Sequence, residues 1–318
     1  MKEILICTLI AFLLSFILVA IEIPLLKKIG AGQNILSYVK EHEKKGGTPT
    51  MGGLAFVFAA CVVSLTSAAI HGADKSYFVL LAIGLGYMLV GFLDDLMKKL
   101  RGKNLGLRAY QKILFQIAVA VLASVYCCLN GLTALKIPYT NLSFDIGWGM
   151  LPLGVVVFVA TTNGVNLTDG LDGLAGSVCA FFFIFLGLLL MLQGENEDIV
   201  TLSFCLTGAL AAYLVFNNYR ASIFMGDTGS LALGGFAAAT SLFSGNALII
   251  PILGIMFVLS SISVIMQVIY YKKTGKRIFL MAPIHHHFQE KGYAEGKIAY
   301  AYAITTAVLG CTLLLPFV

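Results

Sequence analysis

The chain alternates between long apolar runs and short polar clusters. Ten apolar runs fall at about residues 4–23, 51–70, 76–93, 113–130, 150–166, 173–193, 199–217, 228–244, 247–271 and 298–318. Each is close to the ~20 residues that a helix needs to cross ~30 Å of hydrocarbon. The runs are apolar on every face and do not break into alternating ten-residue segments, so they predict helices and not the strands of a barrel. The expected fold class is therefore an all-α integral membrane protein with about ten transmembrane helices. The first run follows only Met1, Lys2 and Glu3 and leads to no small-residue cleavage site, so a retained helix is expected. One connection, residues 131–149, carries Lys136-Ile-Pro-Tyr and Leu142-Ser-Phe-Asp145 on either side of Thr140-Asn141, which predicts a small external hairpin.

Composition sharpens this picture. The sequence is 59% hydrophobic and 12% charged, where soluble domains carry about 25% charged residues. A secreted disulfide scaffold, a nucleic-acid binder and a cytosolic enzyme are all excluded. The seven cysteines show no CxxC spacing and sit in or beside apolar runs, so they are expected as small buried hydrophobes. Of the 21 Lys and Arg residues, all but Lys2, Lys75 and Lys136 fall in loops on one side of the ten-span arrangement. Those loops are predicted to be cytoplasmic, with both termini on the opposite side. The net charge of +5 then needs no nucleic acid to explain it.

The polar clusters of that cytoplasmic side carry the candidate chemistry. Asp94 and Asp95 close the third run; Lys98 is four residues after Asp94 and shares its helix face, while Asp95 points about 100° away. Two acids at a helix C-terminus sit against the unfavourable end of the dipole, which suggests a cation or a phosphate-bound metal nearby. Asn163, Asn166, Asp169 and Asp172 recur every third residue, which predicts polar tips projecting to one side. A polar turn would use the same residue types, but the spacing begins while the fifth run is still apolar. Asp227 lies in Phe224-Met-Gly-Asp-Thr-Gly-Ser230 at the start of the eighth run, where an Asp in a Gly-rich turn makes a good helix N-cap. Five carboxylates on one face, without Cys or His in zinc spacing, suit a hard cation such as Mg²⁺ that bridges carboxylates to phosphates. His285, His286 and His287 follow one another, so they cannot all ligate one ion from a regular helix; they are expected to anchor a phosphorylated substrate. Lys45 and Thr48, in a Gly- and Thr-rich turn before the second run, suit phosphate oxygens, although the Walker A order is missing.

Five motifs occur in order: Thr48-Pro-Thr-Met-Gly-Gly53, Asp94-Asp95-x-x-Lys98, Asn166-Leu-Thr-Asp-Gly-Leu-Asp-Gly-Leu174, Phe224-Met-Gly-Asp-Thr-Gly-Ser-Leu231 and Pro283-Ile-His-His-His-Phe288. Together they resemble the polyprenyl-phosphate N-acetylhexosamine-1-phosphate transferases, and the Thr-Pro-Thr turn with the triple His resembles their phospho-N-acetylmuramoyl-pentapeptide-transferase family. The resemblance covers essentially the whole chain and implies one polytopic catalytic domain over residues 1–318. It implies transfer of phospho-MurNAc-pentapeptide from UDP-MurNAc-pentapeptide to undecaprenyl phosphate, giving lipid I and UMP, with Mg²⁺ as cofactor. It also implies a homodimer in the bacterial inner (plasma) membrane with its active site on the cytoplasmic face.

By the same resemblance, Asp94, Asp95, Asp227 and His285 are catalytic candidates, and Asp227 with Asp169 would ligate the metal. Lys45, Thr48, Lys98, Lys112, Asn163, Asn166, Asp169, Asp172, His286, His287 and Gln289 are substrate-binding candidates, and Phe224 would stack on uracil. The family commonly has Glu where this chain has Gln289, so hydrogen bonding rather than charge is expected there. Direct attack by the lipid phosphate and a covalent aspartyl intermediate both stay open at this level. Two other functions compete: a sister transferase for another UDP-N-acetylhexosamine, and a secondary transporter with polar groups among its helices.

Overall fold

The structure is a computed structural model that describes residues 1–30, 47–101, 106–140 and 142–317. Each of the ten expected runs maps to a helix. They are α1 (Lys2–Lys28), α2 (Gly53–His71), α3 (Lys75–Arg101), α4 (Ala109–Leu129), α5 (Met150–Thr168), α6 (Leu174–Leu192), α7 (Glu197–Asn217), α8 (Gly226–Phe243), a broken pair α9 (Ile250–Leu253) and α10 (Ile255–Thr274), and α12 (Glu295–Leu314). A short helix, α11 (Ile284–Glu290), carries the histidines. Among the described residues, nine helices are long and apolar enough to cross a membrane, and the chain is a multi-pass, all-α membrane protein. The expected hairpin is present, with β1 (Ala134–Lys136) antiparallel to β2 (Ser143–Asp145) and Leu135 opposite Phe144.

The tenth long helix, α8, is different in kind. Every residue from Thr228 to Phe243 is buried, and its main neighbours are α3 and α5. A helix that meets no lipid has no need of a fully apolar surface. It can be built from Gly, Ala, Ser and Thr, whose small size lets backbones approach and brings van der Waals contact where hydrophobic driving force is lacking. Two of these approaches are especially close. A Cβ added at Gly91 of α3 would lie 2.0 Å from the Asp227 carbonyl oxygen, and one at Gly53 of α2 would lie 2.2 Å from the Gly229 nitrogen. Glycine at these two positions is what brings α2 and α3 onto the first turn of α8.

The helices alternate in direction. The starts of α2, α4, α6, α8 and α12 and the ends of α3, α5 and α7 meet at one end of the bundle, and the polar motifs gather there. Helix α3 rises about 30 Å over its first twenty residues, which places Asp94 near the boundary of the apolar layer and carries Lys98 beyond it. The hairpin occupies the opposite end, tied to the turn after α8 by the Lys136 N–H donating to the Gly245 carbonyl at 2.8 Å.

Candidate active site

Three carboxylates converge where α3 meets α8: Asp94, Asp95 and Asp227 each offer an oxygen within 4.8 Å of the others. The i,i+4 spacing read from the sequence holds, with Lys98 Nζ 2.7 Å from Asp94 Oδ2, and the same ammonium reaches Asp95 at 3.3 Å and Asp227 at 2.9 Å. Lys112, from the first turn of α4, meets Asp227 Oδ2 at 2.7 Å. Asn166 of α5 donates to Asp227 Oδ1 at 2.7 Å and to Ser230 Oγ at 2.8 Å. Asp227 is thus gripped by three helices. It does not serve as an N-cap, because α8 already begins at Gly226 with Met225 in the cap position.

The two adjacent acids of α3 have different partners. Asp95 is turned into the protein, where Oδ2 accepts the Thr228 N–H at 2.9 Å and the Thr228 hydroxyl at 2.8 Å. A carboxylate from α3 therefore satisfies an open N–H in the first turn of α8, with the dipole of α8 oriented in its favour. Asp94 accepts the Leu107 N–H at 2.7 Å, which anchors the segment leading into α4.

The donor set fits a hard divalent cation. All three groups are carboxylates, the ligands that such ions prefer. Three carboxylates against the two ammoniums of Lys98 and Lys112 leave one negative charge before any phosphate arrives. Asp169, expected as a metal ligand, lies outside this group of three. At the C-terminus of α5, its carboxyl is pushed up to about 8 by burial first and then by the charges of Asp227 and Asp95.

The three-residue periodicity of 163–172 does not continue as one face, because α5 stops at Thr168 and Gly173 turns the chain with φ +72°. Asn163 points back to Gln116 Oε1 at 2.6 Å and the Val159 carbonyl at 2.8 Å. Asp172 accepts the Ala221 N–H at 3.1 Å. Asn166 joins the carboxylate group through its hydrogen bond to Asp227.

The three histidines of α11 have different surroundings, although the rings of His285 and His286 lie 4.4 Å apart. His285 is 0% exposed, its two ring nitrogens have no hydrogen-bond partner among the described residues, and burial followed by His286 lowers its pKa to about 3. It is a neutral, enclosed imidazole. His286 Nδ1 lies 2.9 Å from Gln289 Oε1, and Gln289 Nε2 donates to Glu295 Oε1 at 3.2 Å. His287 Nδ1 accepts the Leu280 N–H at 3.1 Å and so closes the loop before α11. Phe224 is half-buried, with its N–H on the Pro49 carbonyl at 2.8 Å and its carbonyl accepting from Gly52 at 2.9 Å, so the Thr48–Gly53 turn and the Phe224 segment brace each other. Thr48 is half-buried at the start of that turn. Lys45 lies outside the described residues.

Two groups of the site escaped the sequence reading. Gln116 is a fully buried amide inside an apolar helix, and a lone polar residue in such a span was a readable signal. Glu295 gave none, because an acid in the first turn of a helix is ordinary.

Comparison with known proteins agrees with this geometry. Residues 77–245 match the family model described as glycosyl transferase family 4. A phospho-N-acetylmuramoyl-pentapeptide-transferase of Clostridium botulinum (strain Eklund 17B / Type B) is 42% identical over 302 residues, covering 95% of this chain and 92% of the relative. The protein of that name from Bacillus subtilis (strain 168) is 41% identical over 315 residues, covering 97% of each. The one from Caldanaerobacter subterraneus subsp. tengcongensis is 41% identical over 309 residues, covering 96% of each. With this identity along nearly the whole chain, and all three carboxylates lying within the residues that match the family model, the protein is a transferase that belongs to the phospho-N-acetylmuramoyl-pentapeptide-transferase family.

Proposed function

We propose that the chain transfers the phospho-MurNAc-pentapeptide group of UDP-MurNAc-pentapeptide to undecaprenyl phosphate, releasing UMP and forming lipid I, as one catalytic unit on the cytoplasmic face of the bacterial plasma membrane. The observation that carries this reading is Asp227, held by two ammoniums and an amide within a group of three carboxylates. Such a site manages phosphate charge. The placement of nearly all basic residues in the loops of that side supports the cytoplasmic assignment. The homodimer implied by the resemblance belongs to the same proposal.

In this reaction an oxygen of the lipid phosphate forms a bond to the phosphorus that bears the sugar, and the bond from that phosphorus to the UMP oxygen breaks. Alignment and charge neutralisation do most of what such a transfer needs. Lys98 and Lys112 give the phosphate oxygens two positive partners. Asp94, fixed by the Leu107 N–H, positions the lipid phosphate, while Asp95 keeps the first turn of α8 in register. A phosphate monoester with a second pKa of about 6 is largely ionised at neutral pH, so direct attack needs no strong base. Phe224 stacks on uracil, Asn166 orients Asp227, and His286 faces the sugar. Mg²⁺ would be held by Asp94, Asp95 and Asp227 and, when bound, supplies Lewis-acid stabilisation of the pyrophosphate charge.

The test is UMP release by purified protein given UDP-MurNAc-pentapeptide, polyprenyl phosphate and Mg²⁺, with a chelator as control. Release that requires both substrates is expected. Uptake of labelled nucleotide sugar into sealed vesicles without UMP release would reverse the reading.

A further inference from the structure

Gln116 is the point at which the helices that bear the site are hydrogen-bonded to one another. It lies one turn after Lys112 on the same face of α4, and Asn163 lies one turn before Asn166 on α5. Lys112 and Asn166 grip Asp227 from opposite sides, the ammonium on Oδ2 at 2.7 Å and the amide on Oδ1 at 2.7 Å. One turn deeper in the bundle, Asn163 Nδ2 donates to Gln116 Oε1 at 2.6 Å. Helices α4 and α5 are thus joined by two rungs, one through Asp227 and one directly. The backbone carbonyl of Gln116 accepts the Tyr87 hydroxyl at 3.0 Å, which adds α3, the helix of Asp94, Asp95 and Lys98. Tyr87 in turn lies against α8, where a Cβ added at Gly235 would fall 2.7 Å from the ring.

The orientation of the deeper rung is forced. Asn163 Nδ2 also donates to the Val159 carbonyl at 2.8 Å, and a reversed amide would set its oxygen against that carbonyl. Gln116 must therefore present its oxygen to Asn163, which turns its own Nε2 away. That nitrogen has no hydrogen-bond partner among the described residues, and the residue is 0% exposed. A buried donor left open costs stability, and an apolar side chain of similar volume would pack in this helix without that cost. Fastening of the fold is thus a poor explanation for the amide. Its geometry is a better one, because the distance between α4 and α5 decides whether Lys112 and Asn166 can hold both oxygens of Asp227 at once.

We propose that Gln116 is a positioning residue of the transfer. Through its side-chain oxygen and its carbonyl it sets the spacing of α3, α4 and α5, and so keeps Asp227 in the orientation that Lys98, Lys112 and Asn166 share. This role rests on the transferase reading and deepens it. Gln116 touches no substrate in this account, so loss of its amide slows the chemical step and leaves substrate affinity alone. A misplacement of ~1 Å among reacting groups can cost as much as a hundredfold in rate. Asn163 belongs to the same device, its Nδ2 being committed to α4 and to its own helix.

The experiment compares Gln116→Met, Asn163→Leu and the double variant by steady-state UMP release, with thermal midpoints taken on the same full-length preparations. Gln116→Met keeps the volume and removes the accepting oxygen. Its kcat should fall about tenfold, with the KM values for nucleotide sugar and polyprenyl phosphate within about twofold of the parent. Its midpoint should fall by no more than about 2 °C. Asn163→Leu should lose about as much activity, and the double variant no more than either, because both act through one contact. An unchanged kcat in Gln116→Met overturns the proposal, and UMP release by the parent then leaves the transferase reading standing. Losses that multiply in the double variant overturn it as well, since the two residues would then act separately. Failure of Gln116→Met to fold, or a midpoint that falls with the rate, assigns Gln116 to the fold alone. A parent protein that releases no UMP removes the reading and the proposal together.

Discussion

Each end of the helix bundle holds lysine–carboxylate contacts supported by amides, yet the two ends are built on opposite terms. At the hairpin end Lys136 pairs with Glu195 and also donates to Gln193, which is bonded in turn to Asn246. Charges in that pair balance one to one. At the α3–α8 end three carboxylates share two ammoniums. Acid groups diverge in the same way. Asp145, open to solvent, is drawn below the usual carboxylate range by hydrogen bonds from Thr133 and then Gly147, whereas burial and neighbouring acids drive Asp169 up to about 8. One end fastens the chain, and the other keeps an imbalance that the cation and phosphates of the proposed transfer would resolve. A cluster that the protein could have neutralised and did not is a stronger functional sign than the number of its ion pairs.

The contrast is broken first at Asp227. Asp227→Asn keeps the volume and removes the charge that two lysines share, and turnover should fall by about a hundredfold or more, the scale of losing a preorganised electrostatic group. Glu195→Gln at the other end should change it less than about twofold. Rates on matched amounts of folded protein decide this, and equal losses would erase the distinction between the ends. Asp94→Asn and Asp95→Asn should both lower turnover. Asp95→Asn should also lower the thermal midpoint, because Asp95 accepts two hydrogen bonds from Thr228.

The lysines give the next effect. Lys98→Gln or Lys112→Gln should reduce catalysis about tenfold, as expected for one charge-assisted phosphate contact, while Lys27→Gln and Lys272→Gln leave it nearly unchanged. Uniformly small effects would mean that these lysines only help to set topology.

Asp169 sharpens the comparison through pH. Its folded pKa is raised, so between about 4 and 8 the native state binds a proton that the unfolded chain has released, and stability falls as pH rises through that window. The thermal midpoint of the parent protein should therefore drop more steeply from pH 5 to pH 8 than that of Asp169→Asn. Parallel slopes would show that Asp169 is ionised throughout. The smallest effect belongs to Lys136→Met. A half-exposed pair contributes about 0–1 kcal/mol, so activity should hold within about twofold and the midpoint should shift by only about 1–3 °C.

How much of this was readable in the sequence depended on range. Lys98 and Asp94 are one helical turn apart, so their contact follows from spacing. Their meeting with Asp227 could be anticipated only because topology placed every motif on one side. The expected single face of Asn163, Asn166, Asp169 and Asp172 did not form, because periodicity is blind to where a helix stops, and α5 stops at Thr168. The link between Gln289 and Glu295 was hidden for a similar reason: it spans the turn from α11 to α12, whose path no local pattern sets. The division of labour between Asp94 and Asp95 needed the backbone of α8, which is 133 residues away from Asp95 along the chain.

The complete enclosure of α8 bears on how the protein is made. A helix in which Gly, Ala, Ser and Thr outnumber Leu and Phe, with an acid in its first turn, gains less by entering lipid alone than its neighbours do. Its partners α3 and α5 are synthesised before it, so they are already available as a protein-lined slot when α8 leaves the ribosome. Integration of α8 is thereby expected to follow the assembly of the earlier helices that enclose it. A chain in which α3 is misplaced would fail to insert the segment bearing Asp227, and quality control could recognise that failure before any defective enzyme reached its substrates.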